Sequence, residues 1–136
     1  MSTRNTQQDE RIQKVVLMRH GVARHNLYDP ITRRPPNLND PMLLDPPLVI
    51  EGKKQVLDAG ERLSLWCRTI NLGEQVELVI ASPLTRCLQT ATLAFTRGDC
   101  YTENREEPMF YCTELIREAY GMHFPDQRRP KSLLEV

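Results

Sequence analysis

ELVIASPLTRCLQTATLAF, residues 77–95, holds the junction that decides the fold. Glu77–Ala81 is a short apolar run of the length and bounding expected for a buried strand. Ser82-Pro83 then pairs an N-cap residue with proline at the first helical position. The helical pattern runs on through LTRCLQTATLAF to about Arg97. Downstream, Gly98–Glu107 is a polar connector and Pro108–Cys112, PMFYC, is a candidate strand. Upstream, the valine-rich run Lys14–Met18, bounded by charge, reads as a further buried strand. Between them Glu51–Asn71 predicts a long helix, with Val56, Ala59, Leu63, Trp66 or Cys67, and Ile70 along one buried face and Gly73 as its stop. Trp66 is expected in the core. Strand, helix, strand, helix, strand predicts an α/β fold with a parallel-rich sheet flanked by helices.

The bulk composition narrows the function classes. A chain of 136 residues holds one domain with room for a real core. Eighteen basic and eighteen acidic residues cancel, so no overall field recruits nucleic acid or an acidic membrane surface. Any anion site must be local. Residues 1–13 are expected to form a flexible polar tail without the apolar centre of a signal peptide, and no apolar stretch approaches membrane-spanning length. Cys67, Cys87, Cys100 and Cys112 form no CxxC pair, which points to free thiols in a reducing, cytoplasmic setting.

Two segments stand apart from the regular pattern. Asp29–Pro47, DPITRRPPNLNDPMLLDPP, carries six of the ten prolines. It predicts a long surface loop that forms part of a pocket wall. Ser132 and Glu135 have the spacing of a capping box, yet Val136 follows as the last residue. Three short strands also make a thin parallel sheet. The expectation is that residues 14–136 are the N-terminal portion of a larger domain.

Chemistry gathers at the two strand ends. Arg19-His20-Gly21 follows the first apolar run, at the carboxyl end of a strand where open α/β sheets bind ligands. Arg19 offers a planar fork suited to phosphate or carboxylate oxygens. Gly21 permits a sharp bend and close approach to a ligand, and a neutral His20 can attack an electrophile. Arg86 falls in the first turn of the second helix, where a cation opposes the helix dipole unless it shares an anion with the free amides there. Adjacent strands would bring both arginines to one spot.

MRHGVARHN (18–26), with ASPLTRCLQTA (81–91) and ELIREAYG (114–121), resembles the histidine phosphatase superfamily, whose fold is that of the phosphoglycerate mutases. The resemblance spans roughly Lys14 to Ser132, and GMHFPDQRRPKS is similar to a subgroup of phosphoglycerate-mutase-like proteins from eukaryotes. It implies a three-layer sandwich, incomplete here, and hydrolysis of a small phosphorylated substrate. His20 would be the nucleophile, becoming a phosphohistidine, with Arg19, Arg86 and Asn26 holding phosphoryl oxygens. Glu118 would protonate the leaving oxygen, with Glu114 as the alternative. Gly21, Arg24 and His25 are further candidates, although a solvated ring is the preferred reading of His25. No metal or cofactor is implied, because arginines neutralise the charge.

Departures from the family pattern keep other outcomes open. Arg128-Arg129 lie closer to the Tyr-Gly pair than the paired arginines of true mutases, which argues against assuming mutase activity. The second active-site histidine of the family has no counterpart, since His123 precedes Phe124-Pro125 and lies too near the acid motif. The alternatives are a mutase-type isomerase, a catalytically dead phospho-ligand binder or a nonfunctional fragment. Oligomeric state is left open.

Overall fold

A computed structural model describes residues 14–69, 76–96, 108–118 and 121–133 of the chain. It is a small α/β fold of two helices and a two-stranded parallel sheet, in the order α1 (Ile50–Thr69), β1 (Leu78–Ala81), α2 (Thr85–Thr96) and β2 (Met109–Cys112). Strand β1 pairs with β2 from Leu78 opposite Met109 to Ala81 opposite Cys112. The N–H groups of Met109 and Thr113 extend the ladder to the carbonyls of Glu77 and Ala81. The tail, Cys100, the polar connector, Gly73 and Glu135 lie outside the described residues.

Helix α2 covers one face of this sheet. Val79 and Ala81 alternate inward along β1 and pack with Ala91, Leu88 and Phe95. Phe95 also reaches a second cluster, where Ala23, Leu48, Val56 and Ala94 bring α1 against α2. The buried row of α1 is Gly52, Val56, Gly60 and Ser64, residues four apart and mostly small. Small side chains allow the close approach: a Cβ on Gly60 would stand 2.8 Å from the Ala94 carbonyl oxygen. Trp66, expected inside, is 45% exposed. Val56 of the expected stripe is buried in the contact, but from there the seam runs on through small Gly60 and Ser64 instead of Leu63 and Trp66.

The first predicted strand is the main difference. Lys14–Met18 forms no strand, and Val15 and Leu17 are 80% and 92% exposed. Among the described residues no main-chain hydrogen bond pairs this run. Regular pairing begins only after it, where Ala23 bridges Leu48 in antiparallel sense. There the Val49 N–H donates to the Val22 carbonyl and the Arg24 N–H to that of Pro47. The outer side chains of the sheet, Leu78 and Ile80, are also exposed. A strand is a property of a pair, and apolar sequence alone does not supply the partner.

Helix α2 begins later than Ser82, at Thr85, and its cap comes from elsewhere. Buried Asp45, in the proline-rich loop, accepts from the Thr85 N–H and hydroxyl, both at 2.8 Å, and from the Arg129 N–H at 3.2 Å. Its φ of 43° is in the left-handed region, which Asp tolerates better than most residues. The loop is therefore more ordered than an extended surface segment. It includes a 3-10 turn at Pro41–Leu43, and the Phe124 N–H donates to its Leu38 carbonyl. The loop and the 124–129 segment are fastened together beside the start of α2. No helix of the described residues is long and apolar enough to cross a membrane.

Candidate active site

His20 is held at both ring nitrogens. Its Nδ1 lies 2.7 Å from the Gly21 carbonyl oxygen, and its Nε2 lies 3.2 Å from Arg86 Nε. A carbonyl only accepts and a guanidinium only donates, so Nδ1 carries the proton and Nε2 the lone pair. Burial, with the charges of Arg86 and Arg19, lowers the pKa of His20 below 6.5 and outweighs the opposing Gly21 hydrogen bond. The imidazole is neutral at pH 7, with its unprotonated nitrogen facing a cation.

The backbone around His20 is fixed by polar side chains of both helices. The Gly21 N–H donates to Thr90 Oγ1, whose hydroxyl donates to the Arg86 carbonyl. The Val22 N–H donates to Gln55, and the Leu48 N–H to Gln89. Gly21 is needed for close packing, since a Cβ there would stand 2.6 Å from the Gly52 carbonyl oxygen of α1, and it also lines the cavity beside His20. Its φ is not in the left-handed region.

Arg86 is fully buried. Beyond His20 it donates through Nη1 to the Pro125 carbonyl at 2.6 Å and through Nη2 to Glu118 at 2.8 Å and Asp126 at 3.2 Å. Glu118 experiences burial, which would raise its pKa, but the hydrogen bond and charge of Arg86 outweigh this and lower it. Glu114 lies in a different ion-pair group, with Arg117 at 2.9 Å and Arg128 at 2.8 Å. Glu118 is thus the acidic candidate that reaches the His20 cluster.

Arg19 is brought to His20 from another side. A cavity of about 310 Å³ is lined by Arg19, His20 and Asn26 and, across it, by Gln55, Val56 and Ala59 of α1. Arg86 and Glu118 do not line it. The two arginines flank His20 instead of facing one shared cavity, because Lys14–Met18 and β1 are not paired neighbours. The Asn26 side-chain carbonyl accepts from the Ala23 N–H and shapes the turn Arg24–Asn26. Arg24 is exposed.

His25 lies beside His20, ring centroids 5.8 Å apart. Its Nδ1 is buried without a hydrogen-bonding partner. Burial, then the Arg86 charge and His20, lower its pKa from 6.5 to about 4. His123 contacts Asn39 and takes no part in the cluster. Arg128 is bonded to Glu114, and Arg129 reaches the Leu44 carbonyl, so the basic pair is engaged in structure.

Sequence reasoning missed Asp45, Pro125 and Asp126, which cap α2 and grip Arg86. Gln89 and Thr90, like Pro125 and Asp126, stand inside family-like motifs with no role of their own in the sequence pattern. Polar residues in a proline-rich loop carry no periodic signal, so only the closing of the loop reveals them. Comparisons with protein-family models, with curated proteins and with solved structures find no match for this chain.

Proposed function

We propose that the chain is built on the phosphoglycerate-mutase-like plan and that His20 accepts a phosphoryl group from a small phosphomonoester. One observation carries this: the fully buried Arg86 donates to the unprotonated Nε2 of a histidine whose Nδ1 proton is fixed on a backbone carbonyl. To attack, Nε2 must release the Arg86 Nε–H, which is then placed to donate to a phosphoryl oxygen. Phosphoryl transfer asks for a positioned nucleophile and for positive charge where the phosphoryl oxygens will lie.

The steps follow from the groups present. The His20 Nε2 lone pair forms the N–P bond as the P–O bond to the alcohol breaks, and the departing oxygen takes a proton from Glu118. Water then attacks phosphorus, the N–P electron pair returns to Nε2, and the water proton passes to the Glu118 carboxylate. Products are the alcohol and inorganic phosphate. Hydrolysis is favoured over a mutase reaction because Arg128 and Arg129, which could anchor a second acidic group, are bonded to Glu114 and Leu44. A cytoplasmic enzyme without a metal fits this chemistry.

A second reading is a phospho-ligand binder that does not turn over, favoured by the occupation of Arg86 by protein acceptors. Incubation with radiolabelled acetyl phosphate separates the two. The expected result is acid-labile label on the wild-type chain, released on a chase, and none on His20→Ala. Undiminished p-nitrophenyl phosphate hydrolysis by His20→Ala would overturn the enzymatic reading. No label, with anion binding retained, would favour the binder, whereas label that stays through the chase would mean that only the first half of the reaction occurs.

A further inference from the structure

Four of the five guanidinium N–H groups of Arg86 are engaged by His20, the Pro125 carbonyl, Glu118 and Asp126. One Nη1 N–H is left and the Nε–H is released when the His20 lone pair attacks, so an oxyanion that is also to be held by Nη2 must take that donor from Glu118 or Asp126. They are not equally replaceable. The Asp126 side chain is 19% exposed and belongs to the 3-10 turn Phe124–Asp126. That turn is fastened at its first residue: Phe124 donates to Leu38 and accepts from Asp45. The adjoining Pro125 is fully buried. The Glu118 side chain is 62% exposed, and among the described residues its carboxylate has no hydrogen-bonding partner except Arg86.

Resting on the phosphohistidine reading above, we propose that an entering phosphoryl group displaces Glu118, and not Asp126, from Arg86 Nη2, so that binding of the dianion and protonation of Glu118 are one coupled event. Asp126 and the Pro125 carbonyl keep the guanidinium in place from behind while the exchange occurs. In the structure Glu118 is held ionised by Arg86, which is the wrong form for a group that must donate a proton. Its facing groups are Arg86 on α2, His20 and His25 on the N-terminal segment, and Asp126 on the 3-10 turn. Both imidazoles are neutral at pH 7, since their pKa values are lowered. Once a dianion takes the Arg86 donor, neither replaces the lost positive charge. The carboxyl then stands beside added negative charge, which favours its neutral form. The site completes its general acid only when a phosphoryl group is present.

Sulfate is the probe, a tetrahedral dianion that does not itself titrate near neutrality. Calorimetric titration in buffers of different ionisation heat counts protons taken up per sulfate bound. At about pH 5.5, near the ordinary carboxylate range, the wild-type chain should take up a large fraction of one proton. Glu118→Gln should lose most of that uptake, any remainder going to the His20 lone pair that the dianion also faces, and should bind sulfate roughly 3–10-fold more tightly at neutral pH, with the competing charge gone. Asp126→Asn should retain the uptake. Failure of sulfate to bind, binding without uptake, or uptake kept in Glu118→Gln and lost in Asp126→Asn would each overturn the proposal. Coupled uptake without phosphoryl label on His20 would instead overturn the enzymatic reading and leave the displacement standing.

Discussion

Two regions meet at His20 and are built in opposite ways. Around Arg86 the polar groups find partners drawn from separate segments: the N-terminal turn, the proline-rich loop, α2 and the residues after β2. The run leading into Arg19 is apolar, yet Val15, Val16 and Leu17 lie open, only Met18 packs against the core, and the backbone is unpaired among the described residues. Hydrogen bonds are directional, so a charge network fixes where distant segments must meet. An apolar pattern fixes only that some cover is needed, not which element supplies it.

Substitutions test that contrast, and Arg86→Ala should have the largest effect. It leaves Asp126 and the Pro125 carbonyl without their donor in a buried place, and should cost about 3 kcal/mol in urea unfolding while abolishing sulfate binding. A change below about 0.5 kcal/mol would show that the network does not hold the region together. Asp45→Ala comes next. It strips the N-terminus of α2 of its cap from across the fold, with an expected loss of about 1–2 kcal/mol by the same measurement.

A smaller effect is expected from His25, through pH. Its folded-state pKa, about 4, lies below the ordinary 6.5, so the unfolded chain binds the proton more readily. Its contribution is therefore fully present above about pH 6.5 and is lost as pH falls toward 4. His25→Asn should flatten that part of a stability-against-pH curve; an unchanged slope would remove His25 from the buried cluster. His20 titrates in the same direction, so some slope should persist. At the low end, Leu17→Lys should shift stability by less than about 0.5 kcal/mol. A loss of several times that would mean the exposed run is packed, and the contrast between the two regions would fail.

What could be read along the chain follows the range of the interactions concerned. Strand β1, helix α2 and strand β2 lie close to their expected bounds, since each is encoded by neighbours within a few residues. Lys14–Met18 carries an equally apolar pattern and is no strand, because the pairing it needs is not local. Trp66 was misplaced by periodicity, which locates an apolar stripe but not Gly60, where α1 approaches α2 at Ala94, or Gly52, where it approaches the backbone of Val22. Glu114 and Glu118 are alike in sequence. They separate only in space, one paired with Arg117 and Arg128, the other with Arg86.

By itself the sequence determined which segments can be strand or helix and which residue types stand at their ends: Arg19 and His20 after one apolar run, Arg86 after another. Only the tertiary structure decided that Arg86, not Arg19, donates to His20, that Glu118 reaches the same guanidinium, and that Asp45 and Asp126 hold the assembly. The physical reason is separation. The partners of Arg86 lie 32 to 66 residues away along the chain, and no local propensity encodes a contact that exists only once the loop and both helices have closed around it.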